Sequence, residues 1–306
     1  MGRRTSRSED TADGGGSLPR VDERALPTFD LVVATLGERP NTFDRLLESL
    51  AAQTYARFRL VVVEQGDGRA VAEALAARPT LDATHLRSAR GLARARNVAL
   101  GRLEGDLVAF PDDDCTYVPD LLERVAARFA LEPGLQGLTG RTADTGGTTS
   151  PRWGTTSAVL QRDTVWHGGN SASTFLRVTL VRGVGDFDER LGLGSGTPWE
   201  SGEEIDYLVR ALALGARIEY DPSLVVTHAT RDPSPSELAT LGRRDGGSVG
   251  FILGKHRYPR RMVARMLVRS LGGALVEALR RNRPRASFYL ATFTGRLHGY
   301  RAGRAG

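Results

Sequence analysis

The sequence predicts an α/β protein built on a doubly wound, mostly parallel central sheet, and three observations carry that expectation. Apolar runs at 28–35 (TFDLVVAT), 58–64 (FRLVVVE) and 107–110 (LVAF) have the length and β-branched content of strands buried on both faces. Between them lie segments with helical spacing, such as Leu46, Leu47, Leu50 and Ala51 after a capping Asn41 or Thr42, and 70–77. Strands alternating with helices at this interval argue βαβ units. Finally, the third run stops at Pro111 and gives way to Asp112, Asp113 and Asp114, at the strand end where open α/β sheets hold ligands.

At 306 residues and 33.1 kDa the chain suits one large α/β domain with additions, or two small ones, and 40% hydrophobic residues suffice for a core. Its single cysteine, Cys115, excludes an internal disulfide and fits a reducing compartment. There is no apolar run of membrane-spanning length and no apolar signal core near the N-terminus, which suits a soluble or membrane-surface protein. Residues 1–26 are polar and Gly-rich, with no apolar periodicity, and read as a disordered leader. The net charge of +6 is unevenly placed: from Lys255 onward 13 Lys/Arg face a single acid, Glu277. A slightly acidic body with a basic tail follows, not the uniform basicity of a nucleic-acid binder.

Three adjacent carboxylates repel one another unless a cation joins them, and hard oxygen donors suit Mg²⁺ or Mn²⁺. A solvated acidic turn capping the next helix is the plainer alternative. Ahead of it, Gly91 turns the chain into a helix carrying Arg90, Arg94 and Arg96 near unpaired backbone N–H groups, which suits either a diphosphate or solvated arginines. After it, Pro119 opens a helix with Leu121, Leu122, Val125 and Phe129 on one face. A Gly/Thr-rich loop spans 140–157 and includes Trp153, and 167–175 (HGGNSASTF) is a glycine-rich turn entering a strand.

The second chemical stretch is 199–210 (WESGEEIDYLVR). Glu203, Glu204 and Asp206 suit the first turn of a helix through its dipole. With Trp199 and Gly202 just before them, they also suit a pocket lip whose apolar walls raise a carboxylate toward general-base values. A strand over 218–226, broken by Asp221 and Pro222, leads to the lone His228, which is structural unless a partner recruits it. From 243 the chain reads as a Gly-rich basic loop, followed by amphipathic helices near 259–282 and 285–300. Arg261, Arg265 and Arg269 recur beside Met262, Met266 and Leu267, which suits an anionic bilayer surface or packing against the body equally. No internal repeat stands out.

In this order and spacing the segments at 28–39, LLESLAAQTYARFRLVVVE, GLARARNVAL, DDD and GEEIDYLVR, with His228 downstream, resemble the inverting glycosyltransferases of family 2, which share the GT-A fold. The resemblance covers roughly residues 28–230. It implies Thr35, Arg39 and Glu64 (or Gln65) near the nucleobase and ribose, and Arg90, Arg96 and Asn97 near the nucleotide. It implies Asp112 on the sugar side, Asp114 on a Mg²⁺ or Mn²⁺ ion with His228 completing the site, and Asp113 supporting either. Where the family commonly has Glu-Asp and a further Asp, this chain has Glu203, Glu204, Ile205 and Asp206. That places Glu204 as the base, Asp206 as its alternative, and Trp199 and Glu203 on the acceptor side.

The resulting expectation is a metal-dependent inverting glycosyltransferase. It would use a nucleotide-sugar donor and a glycan or lipid-linked acceptor, and would be cytoplasmic or peripheral on the inner face of an anionic membrane. A nucleotidyltransferase is the rival enzyme, although TLGERPNT is a poor match to its usual Gly-rich, basic loop. A catalytically silent sugar-nucleotide or membrane-surface module is the rival outside enzymes. The expected division is 27–117 for nucleotide, 118–230 for acceptor and 231–306 as a basic helical extension.

Overall fold

A computed structural model describes residues 26–150, 152–229 and 233–306, so the leader expected over 1–26 lies, but for Leu26, outside the described residues. The first half alternates as the apolar periodicity requires. The elements are β1 (Phe29–Thr35), α1 (Pro40–Ala51), β2 (Phe58–Glu64), α2 (Ala70–Ala76), β3 (Ala83–Arg87), α3 (Leu92–Leu100) and β4 (Leu107–Ala109). Pro40 sits at the first helical position of α1, where its fixed φ and missing N–H cost nothing. β1 pairs in parallel with both β2 and β4, in a register that sets Thr35 beside Glu64 at the carboxyl edge.

The second half runs β5 (Cys115–Tyr117), α4 (Leu121–Leu131), β6 (Gly137–Ala143), β7 (Ala158–Val159), β8 (Thr174–Arg177), α5 (Val178–Val184), α6 (Glu203–Ala213) and β9 (Ile218–His228). It mixes directions, with β5, β7 and β8 running against the rest. The sheet order is β3-β2-β1-β4-β8-β6-β9-β5, with β7 on β9. β8 is antiparallel to β4 and to β6, whereas β6 and β9 are parallel. β9 does not break at Asp221 and Pro222: it continues to His228, and the irregularity is absorbed by a register shift between Thr139 and Arg141. That continuation matters, because β9 then pairs with β5 and puts His228 opposite Cys115, the residue next to the acidic triad.

Alternate residues of the central strands feed two cores. Leu31, Val33, Leu60, Val62, Leu107 and Ala109 meet α1 and α4 on one face, while Val32, Val61, Val63 and Val108 meet α3, α5 and α6 on the other. Trp153, expected inside a Gly/Thr-rich mobile loop, is buried.

The C-terminal region is α7 (Leu238–Lys255), α8 (Arg260–Leu279) and α9 (Arg283–Ala305). The two helices expected near 259–282 and 285–300 are present as α8 and α9. The Gly-rich segment expected to be a loop from 243 is instead helical, and the reason is tertiary. Gly242, Gly246, Gly250 and Gly254 recur every fourth residue against the backbone of Phe288, Thr292, Arg296 and Tyr300 of α9, while Gly295, Gly299 and Gly303 of α9 meet the backbone of Arg243, Gly247 and Phe251. Close approach of two backbones offsets the poor helix propensity of glycine. Phe251, Ile252 and Leu253 then enter the core shared with α6, so packing is continuous across position 230. Among the described residues no helix is long and apolar enough to cross a membrane.

The glycine contact makes opposite predictions at two sites. A Cβ on Gly299 would lie 2.0 Å from the carbonyl oxygen of Gly247, whereas one on Gly272, in α8, meets nothing within 4 Å. Gly299→Ala should lower unfolding stability by roughly 1–3 kcal/mol through overpacking. Gly272→Ala should raise it by roughly 0.5–1 kcal/mol through helix propensity. Denaturant unfolding of both variants checks the pair, and equal effects would deny the close α7–α9 approach.

Candidate functional site

The carboxyl ends of β1 and β4 open on a cavity of about 360 Å³ whose floor is the acidic triad. Thr35, the last residue of β1, donates its hydroxyl to Asp113 Oδ2 at 2.6 Å. Arg39, just ahead of α1, reaches back with a fork: Nη2 lies 2.5 Å from Asp113 Oδ1, and Nη1 pairs with Asp114. Because this guanidinium is half exposed, it neutralises the triad from the solvent side. Burial raises the Asp113 carboxyl above its ordinary range, against the pull of Thr35 and Arg39.

From the other side, β9 delivers His228. Its Nε2 is 3.2 Å from Asp114 Oδ1 and 3.7 Å from Asp112 Oδ2, and Asp112 in particular raises the imidazole's pKa. Burial works against ionisation of Asp112, yet His228, Arg96 and the hydroxyl of Ser171 together hold it below the usual carboxylate range. Carboxylate oxygens and an imidazole nitrogen facing one cavity are donors suited to Mn²⁺ or Mg²⁺. Among the described residues, no three acidic, His or Cys side chains form a ready-made ligand cluster.

The second acidic group arrives on α6. Gly202 precedes the helix with φ 80°, a left-handed turn that aims the first helical residues into the cavity. Glu203 is buried and lies 2.8 Å from Nη1 of Arg96, while Nη2 of the same guanidinium is 3.3 Å from Asp112 Oδ1. Arg96 is itself 2% exposed, with its guanidinium 5.7 Å from the Phe110 ring centroid and 5.5 Å from that of Phe187. One buried cation therefore ties the triad to α6. Beside it, Glu204 forms no ion pair among the described residues, and burial together with the neighbouring Glu203 pushes its pKa up to about 8.

Of the residues singled out from sequence, Arg39, Arg90, Asp112, Asp113, Asp114, Glu203, Glu204 and His228 line this cavity. Six others do not. Thr35 stands just behind, on Asp113. Glu64 is fully buried, with Oε2 3.0 Å from His85 Nε2 and Oε1 unpartnered, and its neighbour Gln65 is the one that reaches the cavity. Arg96 is the clasp just described, set behind the cavity on Asp112 and Glu203. Asn97 pins the 187–189 loop, donating to Phe187 O at 3.1 Å and accepting from Phe187 N at 2.7 Å.

Asp206, the alternative base, faces away from the cavity. It is wholly buried among Lys255 Nζ (2.6 Å), His256 Nε2 (2.7 Å) and Arg210 Nε (3.0 Å). Burial opposes its ionisation, but His256 and Lys255 keep its pKa low, and the group locks α6 to the end of α7. Trp199 stacks on Phe251 at 5.4 Å and lines an adjoining groove of about 510 Å³ with Arg243, Arg244 and His298. Ser171, Glu200 and Arg244 complete the cavity and were not anticipated. Arg244 comes from α7, which reads as a loop in sequence because its glycines hide the helical period. Ser171 lies in the glycine-rich turn, where no spacing marks it.

The sequence profile described as glycosyl transferase family 2 matches residues 30–179. The chain is 27% identical over 220 residues to a pre-mycofactocin glycosyltransferase of Mycobacterium tuberculosis, covering 65% of this chain and 42% of that protein. It is 28% identical over 222 residues to the succinoglycan biosynthesis protein ExoM of Rhizobium meliloti, covering 70% and 69%. It spans less than half the length of the mycobacterial relative. Among solved structures it is similar to a mannosyltransferase of Pyrobaculum calidifontis bound to GDP-Man and Mn²⁺, with TM-score 0.62, 14% identity, and coverage of 90% of this chain and 87% of that one. It is also similar to S. aureus TarS 1–349 with UDP-GlcNAc, with TM-score 0.58, 18% identity, and coverage of 90% and 92%. With the acid-floored sheet edge and the matching profile together, the chain belongs to glycosyl transferase family 2 and has the GT-A fold.

Proposed function

We propose that the protein transfers a sugar from a nucleotide-sugar donor to a hydroxyl acceptor with inversion at the anomeric carbon. The observation that carries this reading is the single guanidinium of Arg96 shared by Asp112 and Glu203. It supports two acidic sites on one cavity, one fit for a cation and one free to take a proton. Arg39, Arg90 and Arg244 supply positive charge for the donor's phosphates. Asp114 and His228 would hold Mg²⁺ or Mn²⁺, with Asp112 and Asp113 toward the sugar and ribose. When bound, such an ion supplies neutralisation of the departing diphosphate. Glu204 accepts the acceptor hydroxyl's proton as that oxygen bonds to the anomeric carbon. The bond from that carbon to the diphosphate oxygen breaks on the opposite face, and the electron pair leaves with the nucleotide.

The solved relatives' GDP-Man and UDP-GlcNAc support a nucleotide-sugar donor, and ExoM's role in succinoglycan biosynthesis supports a glycan or lipid-linked acceptor. The basic α8, with Val268, Leu275 and Leu279 exposed, supports peripheral placement on an anionic membrane surface.

Donor identity is tested by thermal unfolding with a series of nucleotide sugars, with and without Mn²⁺. A true donor raises Tm by mass action, and release of free nucleoside diphosphate, not pyrophosphate, marks glycosyl transfer. Asp114→Asn should erase both the Mn²⁺-dependent rise and turnover. Retention of full activity in that variant would remove Asp114 from its role.

Glu204 gives a pH signature with a definite sign. A base whose pKa is raised to about 8 still carries its proton at neutral pH, so kcat should climb as pH passes from 7 to 9 and then level. Glu204→Gln should lower kcat by roughly 10²–10⁴-fold, keep the Kd for donor, and flatten the profile. An unchanged pH profile in Glu204→Gln would assign the base elsewhere.

A further inference from the structure

Away from the cavity, α7, α8 and α9 enclose a second space of about 180 Å³, lined by Arg269, Ser270, Tyr289, Thr292 and Arg296 among others. Two arginines face it, and neither forms an ion pair among the described residues. Arg296 donates from Nη1 to Met266 O and Ser270 Oγ, both at 2.7 Å, and these neutral acceptors cancel no charge. Its Nε is buried with no partner at all. Burial and the neighbouring Arg269 both act to lower its pKa, yet a guanidinium stays charged in proteins, so the strain falls on packing and not on protonation. The acid nearest in the lining, Asp245, is paired with Arg244 instead.

A partly buried cation without a counter-charge is costly, and a second cation beside it makes matters worse. An anion with several oxygen acceptors relieves both at once, accepting from Nη2 of Arg296, which forms no hydrogen bond among the described residues, and from Arg269. We infer that this space is a binding site for a phosphate group, separate from the donor cavity. The surroundings favour a phospholipid as its source. Val268, Leu275 and Leu279 lie on one face of α8 and are 66%, 63% and 76% exposed. Arg280, Arg281, Arg283 and Arg285 cluster at the α8–α9 turn, and Glu277, the single acid from Lys255 onward, is buried. An apolar stripe with a basic surround meets an anionic bilayer at headgroup depth. The site does not depend on glycosyl transfer, so the two readings fail separately.

The test combines thermal unfolding in inorganic phosphate with co-sedimentation on phosphatidylcholine vesicles containing or lacking phosphatidylglycerol. Wild-type protein should gain Tm in phosphate and sediment with the phosphatidylglycerol vesicles alone. Arg269→Gln, an exposed change that leaves packing intact, should abolish the phosphate-dependent gain. It should weaken vesicle binding about fivefold, the equivalent of ~1 kcal/mol per basic residue at the surface. Arg296→Met should lose the same gain without losing Tm in phosphate-free buffer, because it removes an uncompensated, partly buried charge. A phosphate gain without vesicle preference supports the site and assigns it to soluble phosphate esters. No phosphate gain in wild type, together with a lower Tm for Arg296→Met in every buffer, overturns the inference and leaves Arg296 as a staple between α8 and α9.

Discussion

The site depends on the buried guanidinium of Arg96. Asp112 comes from the end of a strand early in the chain and Glu203 from the start of a helix nearly one hundred residues later, yet both lie on one planar fork. Left alone, the two acids would repel across a partly desolvated gap and drive the strand edge and α6 apart. With the cation between them, and Phe110 and Phe187 against the guanidinium, the same charges fix the distance across the cavity. Buried ion pairs seldom add much net stability over an apolar substitute, because desolvation consumes the Coulomb gain. Their effect is positional, and position is what a two-acid reaction needs.

The antiparallel strands of the second half serve that geometry. β9 runs parallel to β4, so both end at the carboxyl edge, and pairing the reversed β5 with β9 draws His228 in beside residues 112–114. α6 is then held from behind by the cluster of Asp206 with Lys255 and His256, so the tail's first helix positions the acids of the second site. Arg244 extends that contribution into the cavity itself.

Much of this was legible in the chain because the signals are local. A buried strand ending in three aspartates announces a sheet-edge site, and helical periodicity located α1, α2 and α4. What escaped is what only three dimensions decide. Arg96 and Arg90 sit on the same segment, but α3 turns Arg96 inward while Arg90, ahead of Gly91, lines the cavity. Asp206 is two residues beyond Glu204, so the helix carries it to the opposite side, where Lys255 awaits it. The four-residue glycine period of α7 is a packing signal that local propensity reads as a loop, since propensity is overridden once backbones touch.

A double-mutant cycle across the clasp tests the central claim, using Arg96→Met, Glu203→Gln and the pair, each followed by unfolding free energy and by kcat. Arg96→Met alone should cost about 3–5 kcal/mol by stranding buried carboxylates. Adding Glu203→Gln should restore a large part of that loss in stability while turnover stays low, because the spacing of the two acidic sites is no longer held. Additive effects in both measurements would contradict the account, since they would mean that Arg96 and Glu203 act independently.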